Sequence, residues 1–399
     1  MAAVIGRSIM PLVLLGLLPG TASAQLLGEG PEPRLRLGPL GVTPRLTISS
    51  RLDTNVFNAP TDEQRDVVAD IRPGAVVSLR AGRLRFQTTT GVNYAYFRDY
   101  PGQGGAGGSS TAQLSIVANR LRPFVEGTYV NSNERLNFEI DERARRIEYS
   151  YRGGVEARLT PTLLFTTSAG RSVFEFTAAD RTAPLSSLNR ESDVASAVLQ
   201  HQTTPLTRIF VTSEVRRERF TTGAAAEAQS VRVVPGAEFS PFALLRGRID
   251  VGVTRFSTRS GTAPAFTGAV GGLTLSYVLG DRTNLGVTAA RDLTFSFAGP
   301  TAYYLQNGVG ASIGRAFGER TELRVTWNRQ QLDYRDTGPA EAEPIGADLR
   351  VTTAGAQVIV RLARDLRFSL SAEHSRRFSP AGRGFEKVMA FTALTYGGS

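Results

Sequence analysis

The chain has 399 residues, 41% hydrophobic and 21% charged, with no cysteine and a formal net charge of +10. The absence of cysteine excludes disulfide staples and thiolate metal sites. The basic balance comes from arginine, with Lys387 the single lysine; the arginines are scattered singly beside Asp and Glu, not gathered with aromatics, which argues against a nucleic-acid interface.

Residues 1–24 carry a positive charge near the start at Arg7, run through an apolar stretch from Ile9 to Leu18, break at Pro19-Gly20 and end on Ala22-Ser23-Ala24. That order of regions predicts a cleaved export signal, too short to serve as an anchor. Residues 25–44 are rich in Gly and Pro without a lasting period, and read as a flexible leader on the periplasmic side. The barrel is expected from residue 45 to 397, its first strand covering 45–57. The segment from Val67 to Phe97 then alternates so regularly that it reads as one long hairpin turning at Ala81-Gly82. That turn would pair Leu79 with Leu84 and Val77 with Phe86, each pair on one face. Pro73 lies in mid-strand and lacks a ladder donor, so a bulge or bend is expected there.

The glycine-rich stretch 98–110 lacks the Gly-Lys-Ser/Thr and the following helix of a phosphate cradle, and reads as a surface loop. Beyond it the scheme repeats. Short connections near 119–122, 160–162, 203–206, 240–247, 280–282, 318–320 and 363–365 alternate with longer ones near 133–143, 177–190, 221–226, 258–265, 297–300, 334–347 and 378–382. With the opening turns and loops, this predicts eighteen strands, sixteen being the next count. Residues 162–176 carry apolar side chains on both faces, which leaves their register open.

Segments of roughly 12–15 residues exceed the mode of about 5–6 for soluble strands and suit a tilted crossing of hydrocarbon. Alternation of short turns with long loops and an even strand number fit an outer-membrane barrel. Backbone groups in lipid must be paired, so the sheet must close. The fold class is therefore an all-β transmembrane antiparallel up-and-down barrel, with a soluble exported β protein as the alternative. Tyr94, Tyr96 and Tyr100 are expected in an aromatic girdle at the loop end, and Tyr303 and Tyr304 beside a later loop in the equivalent place. The closing strand is expected over 385–396, ending near the aromatic Tyr396.

The parity that sends apolar rows to lipid sends a charged set inward: Arg72, Arg80, Arg85, Arg152, Arg158, Arg324, Arg361 and Arg367, with Asp70, Glu148, Glu156, Glu322 and Glu373. Two readings are open. The charges pair across neighbouring strands and fill a polar interior, or the arginine excess makes a pore prefer anions. No catalytic pattern accompanies them: His201 and His374 are the two histidines, one expected at the periplasmic rim and one near an external loop, and no Gly-x-Ser-x-Gly is present. No cofactor or metal is expected and no enzyme activity is assigned; an outer-membrane enzyme, which would need a Ser–His pair assembled on the barrel wall, is the lesser alternative.

Asp53-Thr54-Asn55-Val56-Phe57 before the first loop, Ile71-Arg72-Pro73-Gly74 in the second strand, and the long meander to the end resemble the putative β-barrel porin 2 family. The resemblance implies an outer-membrane location and a role in passive diffusion or exopolysaccharide export. It supplies no catalytic residues. The expected function is passage of polar or anionic solutes, or of a polysaccharide, through a charged lumen. The alternative is a barrel plugged by its own side chains and loops, serving as a structural component of a surface-polymer apparatus. Expected partners are outer-membrane lipids, the barrel assembly machinery and polysaccharide-export components.

Overall fold

A computed structural model describes residues 33–135, 138–139, 141, 143–178, 189–221, 227–240, 243–259, 264–296, 303–335, 349–379 and 382–397. The export signal and most of the leader lie outside these residues, as do parts of the longer connections expected at 133–143, 177–190, 221–226, 258–265, 297–300, 334–347 and 378–382.

The strands are β1 (Leu35–Leu37), β2 (Leu40–Asp53), β3 (Asp66–Ala81), β4 (Leu84–Phe97), β5 (Gly105–Ile116) and β6 (Leu121–Arg135). They continue as β7 (Arg143–Arg158), β8 (Leu163–Ala178), β9 (Arg190–Thr204), β10 (Thr207–Phe220), β11 (Glu227–Phe239), β12 (Leu245–Thr258) and β13 (Phe266–Leu279). The last six are β14 (Thr283–Phe295), β15 (Tyr303–Phe317), β16 (Thr321–Arg335), β17 (Leu349–Ala363), β18 (Leu366–Phe378) and β19 (Phe385–Tyr396). Every strand from β2 onward pairs antiparallel with its neighbours in sequence, and β19 pairs with β2, so eighteen strands close on themselves. Closure leaves no long edge, as a sheet in lipid requires. No helix among the described residues is long and apolar enough to cross a membrane.

β1 stands outside this count. β19 meets β2 from Asp53 down to Leu46, and below that point β1 takes its place, with Leu35 opposite Val42. Arg34 ties this strip to the last short turn through Asp365 at 2.7 Å. Strand structure therefore begins inside the stretch that reads as leader, because the edge β19 leaves bare has backbone groups to pair.

The hairpin β3–β4 keeps the expected faces but turns at Gly82-Arg83, so Ala81 faces Leu84, Leu79 faces Phe86 and Ile71 faces Tyr94. Gly82 takes the first loop position at φ 57°, a left-handed conformation that glycine adopts without a Cβ penalty. Pro73 makes no bulge. The β3–β4 ladder skips Arg72 and Pro73 and resumes at Gly74 opposite Gly91 in unchanged register, while Pro73 stays paired with Leu46 on its other side. Pro235 in β11 is handled the same way, the ladder passing from Val233–Val253 to Gly236–Asp250. A lost donor thus costs two rungs and no register.

The expected loop 98–110 is shorter than its glycines suggest. A single 3-10 turn, Pro101–Gln103, leads into β5 at Gly105. A side chain at Gly107 would lie 2.7 Å from the Asn131 carbonyl and the Asn93 side chain, so glycine here permits close strand approach. β8 also resolves: Leu164, Thr166, Ser168, Phe174 and Phe176 share the inward parity, and Phe165 pairs with Ala157 and Leu199. Apolar rows such as Val251, Val253 and Val211, Val215 are exposed on the outside, whereas their alternate neighbours are half-buried or buried. Strands of 12 to 16 residues with this alternation make a band suited to hydrocarbon.

Candidate functional site

The residues most buried among the polar set gather at the loop end, where β19 meets β2. Asn55 is fully buried and its amide is spent on structure: Nδ2 donates to the Ala59 carbonyl at 2.8 Å and Oδ1 accepts from the Ala59 N–H at 2.8 Å. Its backbone N–H reaches Asp53 Oδ1 at 3.1 Å. Thr54 and Val388 exchange two bonds, 3.1 Å and 2.9 Å, at the closing seam. The segment Asp53-Thr54-Asn55-Val56-Phe57 is therefore a clasp. It ends β2, folds the first loop back on itself and fastens the last strand to the first. Val56 packs with Val68 and Phe97, and Phe57 meets Tyr100 edge-on at 4.9 Å.

The clasp also holds a crossing element. Of the connection between β6 and β7, Phe138, Glu139 and Asp141 lie against strands on the far side of the ring. Phe138 packs on Tyr304, Leu332, Leu349 and Val351, from β15, β16 and β17. Ser296, just past β14, donates to Glu139 at 2.5 Å. Arg377 of β18 donates to both Asp141 oxygens, at 2.8 and 2.5 Å, and to the Phe138 carbonyl at 3.1 Å. Asn58 of the first loop donates to Asp141 Oδ1 at 3.1 Å, and Arg135 donates to the Asp141 carbonyl at 2.7 Å and to that of Val56. β6–β7 and β15–β16 stand nine strands apart in a ring of eighteen. These residues thus span the lumen close to a diameter. Charge-assisted bidentate bonds hold geometry as well as energy, so the mouth is narrowed by a fixed bar.

Beside the bar one wall carries a 120 Å³ cavity lined by residues of β8 to β12 and β14. Arg190 sits there among Phe174, Phe176, Phe220 and Phe295, its guanidinium 4.3 Å from the Phe174 ring centre and 3.4 Å from Glu218. Ser192 donates to Glu218 at 2.9 Å. The inward apolar residues of β8 have their reason here: aromatic faces solvate a buried cation.

The thirteen charged residues expected inside all have the parity opposite to the exposed apolar rows. Many of them are paired: Arg152 with Glu126 at 2.9 Å, Glu156 with Arg122 at 2.5 Å, Arg72 with Asp70 at 3.5 Å and Glu148 with Arg146 at 3.5 Å. Glu373 accepts from Ser375 at 3.3 Å, and Glu322 holds Arg324 at 2.8 Å. Near the short turns, where Glu156 and Glu322 also sit, arginines outnumber carboxylates. Arg80 faces Arg85 across the first hairpin, Arg361 faces Arg367 across β17–β18, and Arg158 is exposed next to the turn after β7. Arg85 donates to the Gly82 and Leu84 carbonyls of its own turn. Among the described residues no ion pair forms on Arg85, Arg158, Arg361 or Arg367.

Several of the tightest contacts lay outside the sequence reading. Arg377 falls on the row of Arg361, Arg367 and Glu373 and could have been found by extending it. Asp141, Phe138 and Glu139 lie in a connection, where parity has no meaning. Tyr94 and Tyr96 are exposed on the outer surface near the loops, as a girdle requires, but Tyr303 and Tyr304 are each 1% exposed. Tyr304 lies under Phe138, and Tyr303 packs against Phe256 at 4.9 Å and donates to the Pro264 carbonyl at 3.0 Å. Consecutive strand residues cannot both face lipid, and these two are absorbed by packing at the mouth. His201 sits beside the turn after β9, as expected, and His374 meets Glu386 at 2.8 Å on the outer face.

Comparison with solved structures agrees on the fold. OccK2 (OpdF) of Pseudomonas aeruginosa, solved in complex with glucuronate, superposes with a TM-score of 0.52 at 10% identity, over 89% of this chain and 98% of that one. OpdK of the same organism, solved with vanillate, gives 0.50 at 9% identity over 89% and 98%. No curated protein matches the sequence. The family model described as Putative beta-barrel porin 2 matches residues 35–393, from β1 into the last strand. The chain belongs to the putative β-barrel porin 2 family.

Proposed function

We propose that the protein is an outer-membrane diffusion channel for small anionic solutes, non-enzymatic, narrowed at its outer mouth and biased towards anions at its inner one. The observation that carries this reading is the pair of facing arginines, Arg80–Arg85 and Arg361–Arg367, at the short-turn end. Opposed like charges destabilise a sheet. They are retained at a cost where the field is used, and rings of positive charge select anions. The paired charges, including Glu156–Arg122 and Glu322–Arg324 at the same end, serve the polar interior without adding net charge. The carbohydrate acid and the aromatic acid bound in the two superposed porins are consistent with this class of solute.

Polysaccharide export is disfavoured by the bar that Phe138, Glu139 and Asp141 place across the mouth, since a polymer needs a clear bore. Residues 1–24 would route the chain out of the cytoplasm, and barrel assembly machinery and outer-membrane lipids are the partners this location requires.

Planar-bilayer recording tests the reading. The purified protein is expected to open stable steps, with reversal potentials favouring anions in a potassium chloride gradient. Silent membranes would support the plugged alternative, and cation preference would overturn the role of the arginines.

A further inference from the structure

The outer surface carries a second arginine pattern that transport does not use. Six alternate strands, β8, β10, β12, β14, β16 and β18, present an arginine outward at a similar height, Arg171, Arg217, Arg255, Arg291, Arg329 and Arg376, with Arg219 and Arg335 further up on β10 and β16. The parity is fixed by exposed neighbours two and four residues below, such as Val325 and Trp327 under Arg329 and Val251 and Val253 under Arg255. Each of the six comes eight or ten residues after the first residue of its strand. At about 3.3 Å per residue and a tilt near 40°, that is a climb of roughly 20–25 Å, the height of the apolar band. The arginines therefore mark the band's upper edge, where hydrocarbon gives way to headgroups.

The rest of the ring has a different edge. β4, β6 and β7 carry Tyr94, Tyr96, Tyr129, Tyr149 and Tyr151 outward near the loops, the usual aromatic girdle. The change comes between adjacent strands, where Tyr151 faces Arg171. On β8–β11 the cations are partly neutralised by Asp193 and Glu227, with Arg171 at 2.6 Å from Asp193 and Arg217 at 3.8 Å from Glu227. Arg291 donates to Asn307 at 2.8 Å. Arg255, Arg329 and Arg376 are exposed, and among the described residues no carboxylate lies within ion-pair distance of any of them. A guanidinium held at a lipid headgroup without a protein partner is suited to bidentate phosphate.

We propose that this belt, on β12, β16 and β18 above all, binds the phosphate groups of the phosphorylated glycolipid of the outer leaflet. The inference rests on the outer-membrane reading and adds a lipid side to it: one sector of the barrel is anchored by phosphate, the other by tyrosine.

Native mass spectrometry of the purified full chain in detergent, offered bis-phosphorylated lipid A or its dephosphorylated form, tests the proposal. The phosphorylated lipid should remain bound and the dephosphorylated one should not. The variant R255Q/R329Q/R376Q should lose retention by about tenfold or more while keeping heat-modifiable migration. R255K/R329K/R376K should retain part of the binding, and R315Q, at the opposite rim, all of it. Equal retention of the two lipids, undiminished binding by the folded glutamine variant, or an equal loss in R315Q would overturn the proposal. Because the assay uses purified barrel, failure of the location is read separately, by membrane fractionation of cells.

Discussion

Arg377 and Asp141 are 236 residues apart in sequence and joined by two parallel bonds, Nη1 to Oδ1 at 2.8 Å and Nη2 to Oδ2 at 2.5 Å. The Arg377 side chain is 2% exposed. Breaking a buried pair by removing one partner costs about 3–5 kcal/mol because the other charge is stranded. R377Q is expected to lower the heat-modification midpoint and to raise single-channel conductance or its noise. A variant with unchanged conductance would show that Asp141 does not define the narrow part of the path.

The arginines near the short turns are predicted to set selectivity without setting stability. R361Q/R367Q removes one of two facing like-charged pairs, each of which opposes strand pairing slightly. The double variant should fold at least as well as the parent and shift the reversal potential towards zero. A parent-like reversal potential would place the selectivity elsewhere.

Two glycines should respond differently to alanine. Gly82 has φ 57° and open space around it, so G82A should cost about 1 kcal/mol and leave the barrel intact. Gly247 has φ 122° and a Cβ there would collide with the Thr274 carbonyl of β13. G247A should therefore impair assembly outright, seen as loss of the compact species on a semi-native gel. Equal behaviour of the two would contradict the β12–β13 geometry.

The register of the first hairpin can be read chemically, since the chain has no native cysteine. L79C/F86C places thiols on directly opposed residues, within the Cα span a disulfide accepts. L79C/L84C places them diagonally, about 7–8 Å apart. Oxidation should bridge the first pair and leave the second as free thiols.

The behaviour of that hairpin shows what parity can and cannot reveal. A period of two separates faces but is blind to a slip of two, so Leu79 still faced its own kind when its expected partner moved from Leu84 to Phe86. What decided between the registers was the φ of Gly82, a local backbone preference that the side-chain pattern does not encode. Pro73 was a similar case: its missing donor was visible, but whether the strand would bulge depended on Gly74 and Gly91 meeting opposite each other. The parity of the charged rows was legible because every strand repeats the rule. The crossing of Phe138, Glu139 and Asp141 was not, because it joins a connection to walls hundreds of residues away. Tyr304 was misplaced for the same reason, its cover coming from Phe138, whereas Tyr303 is covered by Phe256 of β12.

The two-sided fastening of Asp141 has a mechanical meaning. Arg135, at the end of the strand from which the crossing segment departs, bonds the same residue that Arg377 receives on the other bank. A segment tethered at one end would swing like a cantilever and let large solutes push past. With Glu139 held by Ser296 and Phe138 packed on the opposite wall as well, this one has several supports and yields mainly by losing one. Widening of the proposed channel should then come in discrete steps, one for each anchor released, and not as a graded flexing of the mouth.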